Sequence, residues 1–149
     1  MEKIAVFVND ADHARRLIQP LLAGAGPTHW LLVACAPRLT RHIGRWVSQP
    51  ARRQWLERWS RDLFAQLEPE LRSVPSSQVE RLVARQPLVE LSRRLAARHG
   101  PIGLLDARRP QVGRVDEPIS DWQPPSTRHR WVAPLAATGG LAVMLALAD

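Results

Sequence analysis

The sequence predicts an α/β fold, with a mostly parallel sheet between layers of helix. Three observations point to it. Short continuous apolar runs recur at residues 3–8, 29–36 and 101–107, the pattern of strands buried on both faces. Stretches with apolar residues at helical spacing lie between them. The two patterns alternate as strand, helix, strand, helix, strand, helix, strand, an order that builds a parallel sheet covered on both sides. The chain has 149 residues, the size of one domain, and its 45% hydrophobic residues suffice for a core.

Each element has its own signal. KIAVFV (3–8) is the first strand, and Asn9-Asp10 closes it. Asp10 or Asp12 is placed to cap a helix. Ala14, Leu17, Ile18, Leu21 and Leu22 then form one apolar face, with Pro20 as a kink and Gly24, Gly26 and Pro27 as the stop. HWLLVACA (29–36) is the second strand. After a long connection, Trp55, Leu56, Trp59, Leu63, Phe64, Leu67 and Leu71 fall on one half of a helix over about 51–72, with Pro69 in its last turn. QVERLVAR (78–85) carries charges within a strand pattern, which marks an edge strand. Pro87 suits a helix start. Leu88, Leu91, Leu95 and Ala96 follow at helical spacing, Glu90 and Arg94 make an i, i+4 pair, and Gly100 is the stop. PIGLLDA (101–107) is the next strand.

After Ala107 the periodicity ends. Residues 108–130 hold Pro110, Pro118, Pro124 and Pro125 among arginines, and read as an extended loop. Residues 131–149 are apolar. Val132 to Ala148 has no charge and follows Arg128 and Arg130, so a membrane anchor stands beside the alternatives of a buried final element or a dimer interface. The opening residues lack the pattern of a signal peptide, and the expected location is cytoplasmic. The expected organisation is a core over 1–107, a loop over 108–130 and an apolar segment over 131–149.

KIAVFVNDADHARRLIQPLL resembles the opening strand, strand-end acid and first helix of the universal stress protein family, and the order of elements over residues 1–107 is similar too. The resemblance implies a Rossmann-like three-layer sandwich with central strand order 3-2-1-4, in which the C-terminal segment is a candidate fifth strand. It also implies a homodimer and a role in stress response or regulation. Some members of that family bind ATP through a glycine motif after the fourth strand. Here that stretch is DARRPQVGRVDEPISDW, in which Gly113 stands alone and no further helix follows. Without paired glycines there is no evident cradle of backbone N–H groups for a triphosphate. ATP or another adenine nucleotide is therefore disfavoured, and no cofactor is expected.

Two constellations are candidate binding sites. In an open parallel sheet, ligands favour the carboxyl ends of the strands that flank the topological switch point. Under order 3-2-1-4 that point brings Asn9, Asp10 and Asp12 toward Asp106, Arg108 and Arg109. Carboxylates beside guanidiniums suit a polar ligand. The alternative is that Asp10 caps the first helix and Asp106 pairs with an arginine. If a nucleotide binds, the resemblance puts Asp10 near its base.

The second constellation is residues 36–61. The chain carries a net charge of +7. This stretch has seven arginines against one acid, Glu57, so +6 of that charge is local. Arg38, Arg41, Arg45, Arg52 and Arg53 are interleaved with Trp46, and Trp55 and Trp59 follow. Arginine supplies bidentate phosphate contacts and tryptophan a stacking surface. The segment thus forms a basic patch for an acidic protein, a nucleic acid or an anionic lipid. Against this, Trp55 and Trp59 lie on the apolar half of the helix, where packing on the sheet is the ordinary role.

Catalytic signatures are absent from the sequence. It has no P-loop, no His-Glu-x-x-His and no Gly-x-Ser-x-Gly elbow, and His13, His29, His42, His99 and His129 have no metal-ligand spacing. The single cysteine, Cys35, sits inside an apolar strand, as a core residue does. The reading leans away from an enzyme and toward an interaction protein. Nucleotide binding at the strand-one and strand-four loops, anion or nucleic-acid binding through 38–61, and membrane association through 132–148 are its rivals.

Overall fold

The computed structural model describes residues 1–37, 46–110, 117–121 and the backbone of 131–132. The elements are β1 (Glu2–Val8), α1 (Ala11–Leu22), β2 (Thr28–Ala34), α2 (Gln49–Leu71), β3 (Gln78–Val83), α3 (Leu88–His99), β4 (Gly103–Asp106) and β5 (Trp131–Val132). The sheet order is β3-β2-β1-β4-β5. The first four strands are parallel. The two-residue β5 lies antiparallel beside β4, with Trp131 opposite Leu105. The architecture is the expected α/β sandwich of Rossmann-like type, and the fifth strand does come from the C-terminal segment.

Alternation along the strands divides the core. Ile4, Val6, Val8, Trp30, Leu32, Ala34 and Leu105 face α1 and α2. Ala5, Phe7, Leu31, Val33 and Leu104 face α3. Steps from β1 to β2 to β3 run one way across the sheet, and the step from β3 to β4 runs back. Crossovers of one hand therefore put α3 on the face opposite α1 and α2. The edge position of β3 matches its sequence, with Glu80 and Arg81 among half-buried apolar residues.

Caps set the helix limits. Asp10 accepts a hydrogen bond from the His13 backbone N–H at 3.0 Å and starts α1. Ser48 caps α2 by accepting from the Ala51 N–H at 3.3 Å. Pro20 and Pro69 lie inside α1 and α2, each in the last turn and each exposed, so the rings clear the core. At the end of α3, Gly100 takes φ of 76°, a left-handed value that glycine adopts without strain. Lys3, the sole lysine, donates from Nζ to the His99 carbonyl at 3.1 Å, at the negative end of α3.

Glu68 ties α2 to the edge of the sheet. It is buried, and it accepts from Arg72 Nε at 2.7 Å and Arg81 Nε at 2.6 Å. Burial alone would raise its pKa, but the two guanidiniums outweigh burial and hold it below the ordinary glutamate value.

Among the described residues, no helix is long and apolar enough to cross a membrane. The stretch considered as a membrane anchor, 132–148, lies outside them except for the backbone of Val132.

Candidate functional site

The switch point falls between β1 and β4, as the strand order requires. The chain's own side chains bridge it. Asn9 and the backbone of Arg109 form a two-way pair. Arg109 N–H donates to Asn9 Oδ1 at 2.6 Å, and Asn9 Nδ2 donates to the Arg109 carbonyl at 3.3 Å. The Asn9 amide thus extends the pairing of β1 with the β4 side beyond the last backbone bond, Ala107 N–H to Phe7 O at 2.8 Å. Arg109 also lies 3.6 Å from Asp10. The His13 N–H, helped by Arg109, lowers the Asp10 carboxyl below its ordinary value. Asp12 is drawn outward to Arg15, at 2.9 Å.

Asp106 and Arg108 form a buried pair. Arg108 Nε donates to Asp106 Oδ1 at 2.9 Å, and its Nη2 donates to Oδ2 at 3.0 Å. The same Nη2 donates to the Glu117 carbonyl. The bidentate fork satisfies both carboxylate oxygens and makes burial of the pair tolerable.

Residues 117–121 close the crevice on the α3 side. Ile119 is fully buried in the cluster of Phe7, Leu104, Leu88 and Leu95. Its carbonyl accepts from Ser92 Oγ at 2.6 Å. The Glu117 carboxylate accepts from the Leu88 N–H at 3.0 Å. That contact caps α3, since Pro87 at the cap position supplies no side-chain acceptor. Arg93 pairs with Asp121 at 2.6 Å. A doubly wound sheet places a helix after its fourth strand; the described residues 117–121 are an irregular strap packed against α3. Cys35 lies in the same cluster. Burial pushes its thiol up to about 12, against a lowering contribution from Arg108, so the thiolate that a nucleophile needs is suppressed.

Five of the six crevice candidates, Asn9, Asp10, Asp106, Arg108 and Arg109, come together as the sequence suggests. They are engaged with one another, and Asp12 stands apart with Arg15. Glu117 and Ile119 had no part in the sequence reading. Their one signal is an isolated isoleucine between acids and a proline (Glu117-Pro118-Ile119-Ser120-Asp121) in an otherwise polar stretch.

The basic segment divides differently. Arg38, Arg41 and Arg45 lie outside the described residues. Trp46, Arg52 and Arg53 lie at the start of α2. The buried residues of this helix begin only at Ser60. Its 23 residues span about 34 Å at helical rise, whereas the seven-residue strands span about 23 Å. The N-terminal half of α2 therefore overhangs the carboxyl edge of the sheet. Trp55, expected on the sheet, is 41% exposed for this reason, and Trp46 is 82% exposed. Trp59 is half-buried against the core, and Trp55 stacks on it with ring centres 6.0 Å apart and planes 16° from parallel.

No metal-binding cluster of His, Cys, Asp or Glu occurs among the described residues. No family model, curated protein or solved structure matches the chain.

Proposed function

We propose that this chain is a small non-enzymatic interaction protein on a universal-stress-protein-like scaffold, regulatory or stress-related, and that it does not bind ATP. The cytoplasm is its expected compartment. One observation carries this reading: the switch-point crevice is occupied by the chain itself. Arg108 is committed to Asp106 and Glu117, Asn9 to Arg109, and Ile119 fills the apolar floor. A nucleotide entering there displaces a buried ion pair and a packed side chain. The N-terminal half of α2 is the surface left for a partner. The homodimer stays part of the proposal through the resemblance and the apolar segment after Val132, which lies outside the described residues.

Thermal melting with ATP, AMP and cyclic dinucleotides tests this. A one-site ligand at a hundred times its Kd adds about 2.7 kcal/mol, a rise of ~5–10 °C for a domain of this size. The expected result is no shift with any of them. A saturable rise overturns the reading in favour of a nucleotide-binding regulatory domain.

A further inference from the structure

We infer that the overhanging half of α2 is a binding site for single-stranded nucleic acid, with Trp55 as the stacking platform and Arg58 and Arg61 as the phosphate contacts. This rests on the reading of the chain as an interaction protein and names the partner class.

The platform is preorganised. Trp59 is anchored against the core, Trp55 stacks on Trp59, and Trp55 is 41% exposed. The stack starts in the core and ends in solvent on an aromatic ring. A base added to that ring continues it without ordering a mobile side chain. Trp46, 82% exposed, lies just before the same helix and offers a second indole.

Many arginines of the fold are spent on carboxylates. Arg15, Arg72, Arg81, Arg93, Arg108 and Arg109 each face a carboxylate. Arg58 and Arg61 are exposed and face none among the described residues, as is true of Arg16, Arg85 and Arg98, but Arg58 and Arg61 share α2 with the exposed Trp55. Arg58 is three residues from Trp55, on the neighbouring strip of the helix surface, so a phosphate beside a stacked base falls within its reach. Guanidiniums beside an open ring match the alternation of phosphate and base along a single strand.

Two other anionic partners fit less well. A helix that lies in a membrane surface presents a broad aliphatic face. Here Trp46 and Trp55 are the exposed large apolar residues, and Leu56 is half-buried. An acidic protein surface explains the arginines and leaves the stacked indoles unused. Duplex nucleic acid keeps its bases stacked internally, out of reach of Trp55.

The test is fluorescence anisotropy of a labelled oligonucleotide of about 12 bases with the full chain, at low and rising salt. Polyglutamate and phosphatidylserine vesicles serve as competitors. Wild type is expected to bind with affinity that falls on adding salt. Trp55→Ala is expected to weaken binding about tenfold and Trp55→Phe to restore most of it. Arg58→Gln with Arg61→Gln is expected to reduce the log–log salt slope by about 1.4. Both arginines are exposed, so this double variant decides the matter even if Trp55→Ala perturbs folding. Absence of binding at low salt overturns the inference. So does binding indifferent to Trp55→Ala, or displacement by polyglutamate or vesicles as effective as by unlabelled oligonucleotide. ATP melting is independent, so a failed titration with unshifted melts removes this inference alone.

Discussion

His99 shows how one half-buried side chain sets a pH response. It ends α3, with its ring edge-on to His29 at 5.6 Å between centres. Glu80 Oε2 is 3.9 Å from its Nε2, too far for a hydrogen bond, and that nitrogen has no partner. Lys3 and Arg98 place positive charge around it. Burial lowers the His99 pKa below 6.5, Glu80 opposes that, and Lys3, His29 and Arg98 reinforce it. The folded state therefore holds the neutral ring, while the unfolded chain takes up a proton near 6.5. Stability is full above that value and falls as pH drops from it toward the folded pKa. The melting temperature is expected to decline over that window, and His99→Gln is expected to flatten the decline. Glu68 and Asp10, both lowered, act in a separate window. Their contributions are present above their ordinary values of 4.5 and 3.8 and are lost only in more acid solution.

At the scale of elements, the strap over 117–121 completes the packing around α3. It gives α3 its cap through Glu117 and gives the core Ile119. Truncating a fully buried isoleucine costs ~2–5 kcal/mol, and losing a helix cap about 1 kcal/mol. Urea unfolding of Ile119→Ala is expected to show a loss in the first range and Glu117→Ala a loss near the second. Equal stability of all three chains contradicts the docking of the strap. Strands and helices were legible in the sequence because their signals are local, as in KIAVFV or Leu88, Leu91 and Leu95. The strap was not, because its contacts span 27 to 29 residues and no periodicity marks them. Trp55 was misplaced for a different reason. The helical wheel finds the apolar side of a helix but not where the sheet beneath it ends. The mismatch between a 23-residue helix and seven-residue strands held that information.

For the molecule as a whole, the charge and the crevice have separate fates. The pairing of Asp106 with a neighbouring arginine and the capping role of Asp10 were both readable as alternatives to a ligand site, since each involves partners a few residues apart. The Asn9–Arg109 pair, 100 residues apart, follows only once β1 and β4 are neighbours. Together they describe a switch point bridged by the chain's own side chains, with positive charge displaced to an overhanging helix. Cys35 reports on that closure, because it shares the cluster with Ile119 and lies close enough to Arg108, Asp106 and Glu117 to feel their charges. Breaking the buried pair with Arg108→Ala removes the guanidinium that faces Asp106, at a cost of ~3 kcal/mol, and releases the Glu117 carbonyl. The most direct measurement is the rate at which a thiol reagent labels Cys35 under native conditions. The closed crevice requires slow labelling in the wild type and labelling many times faster in Arg108→Ala and Ile119→Ala. Wild-type labelling as fast as that of the urea-unfolded chain contradicts it.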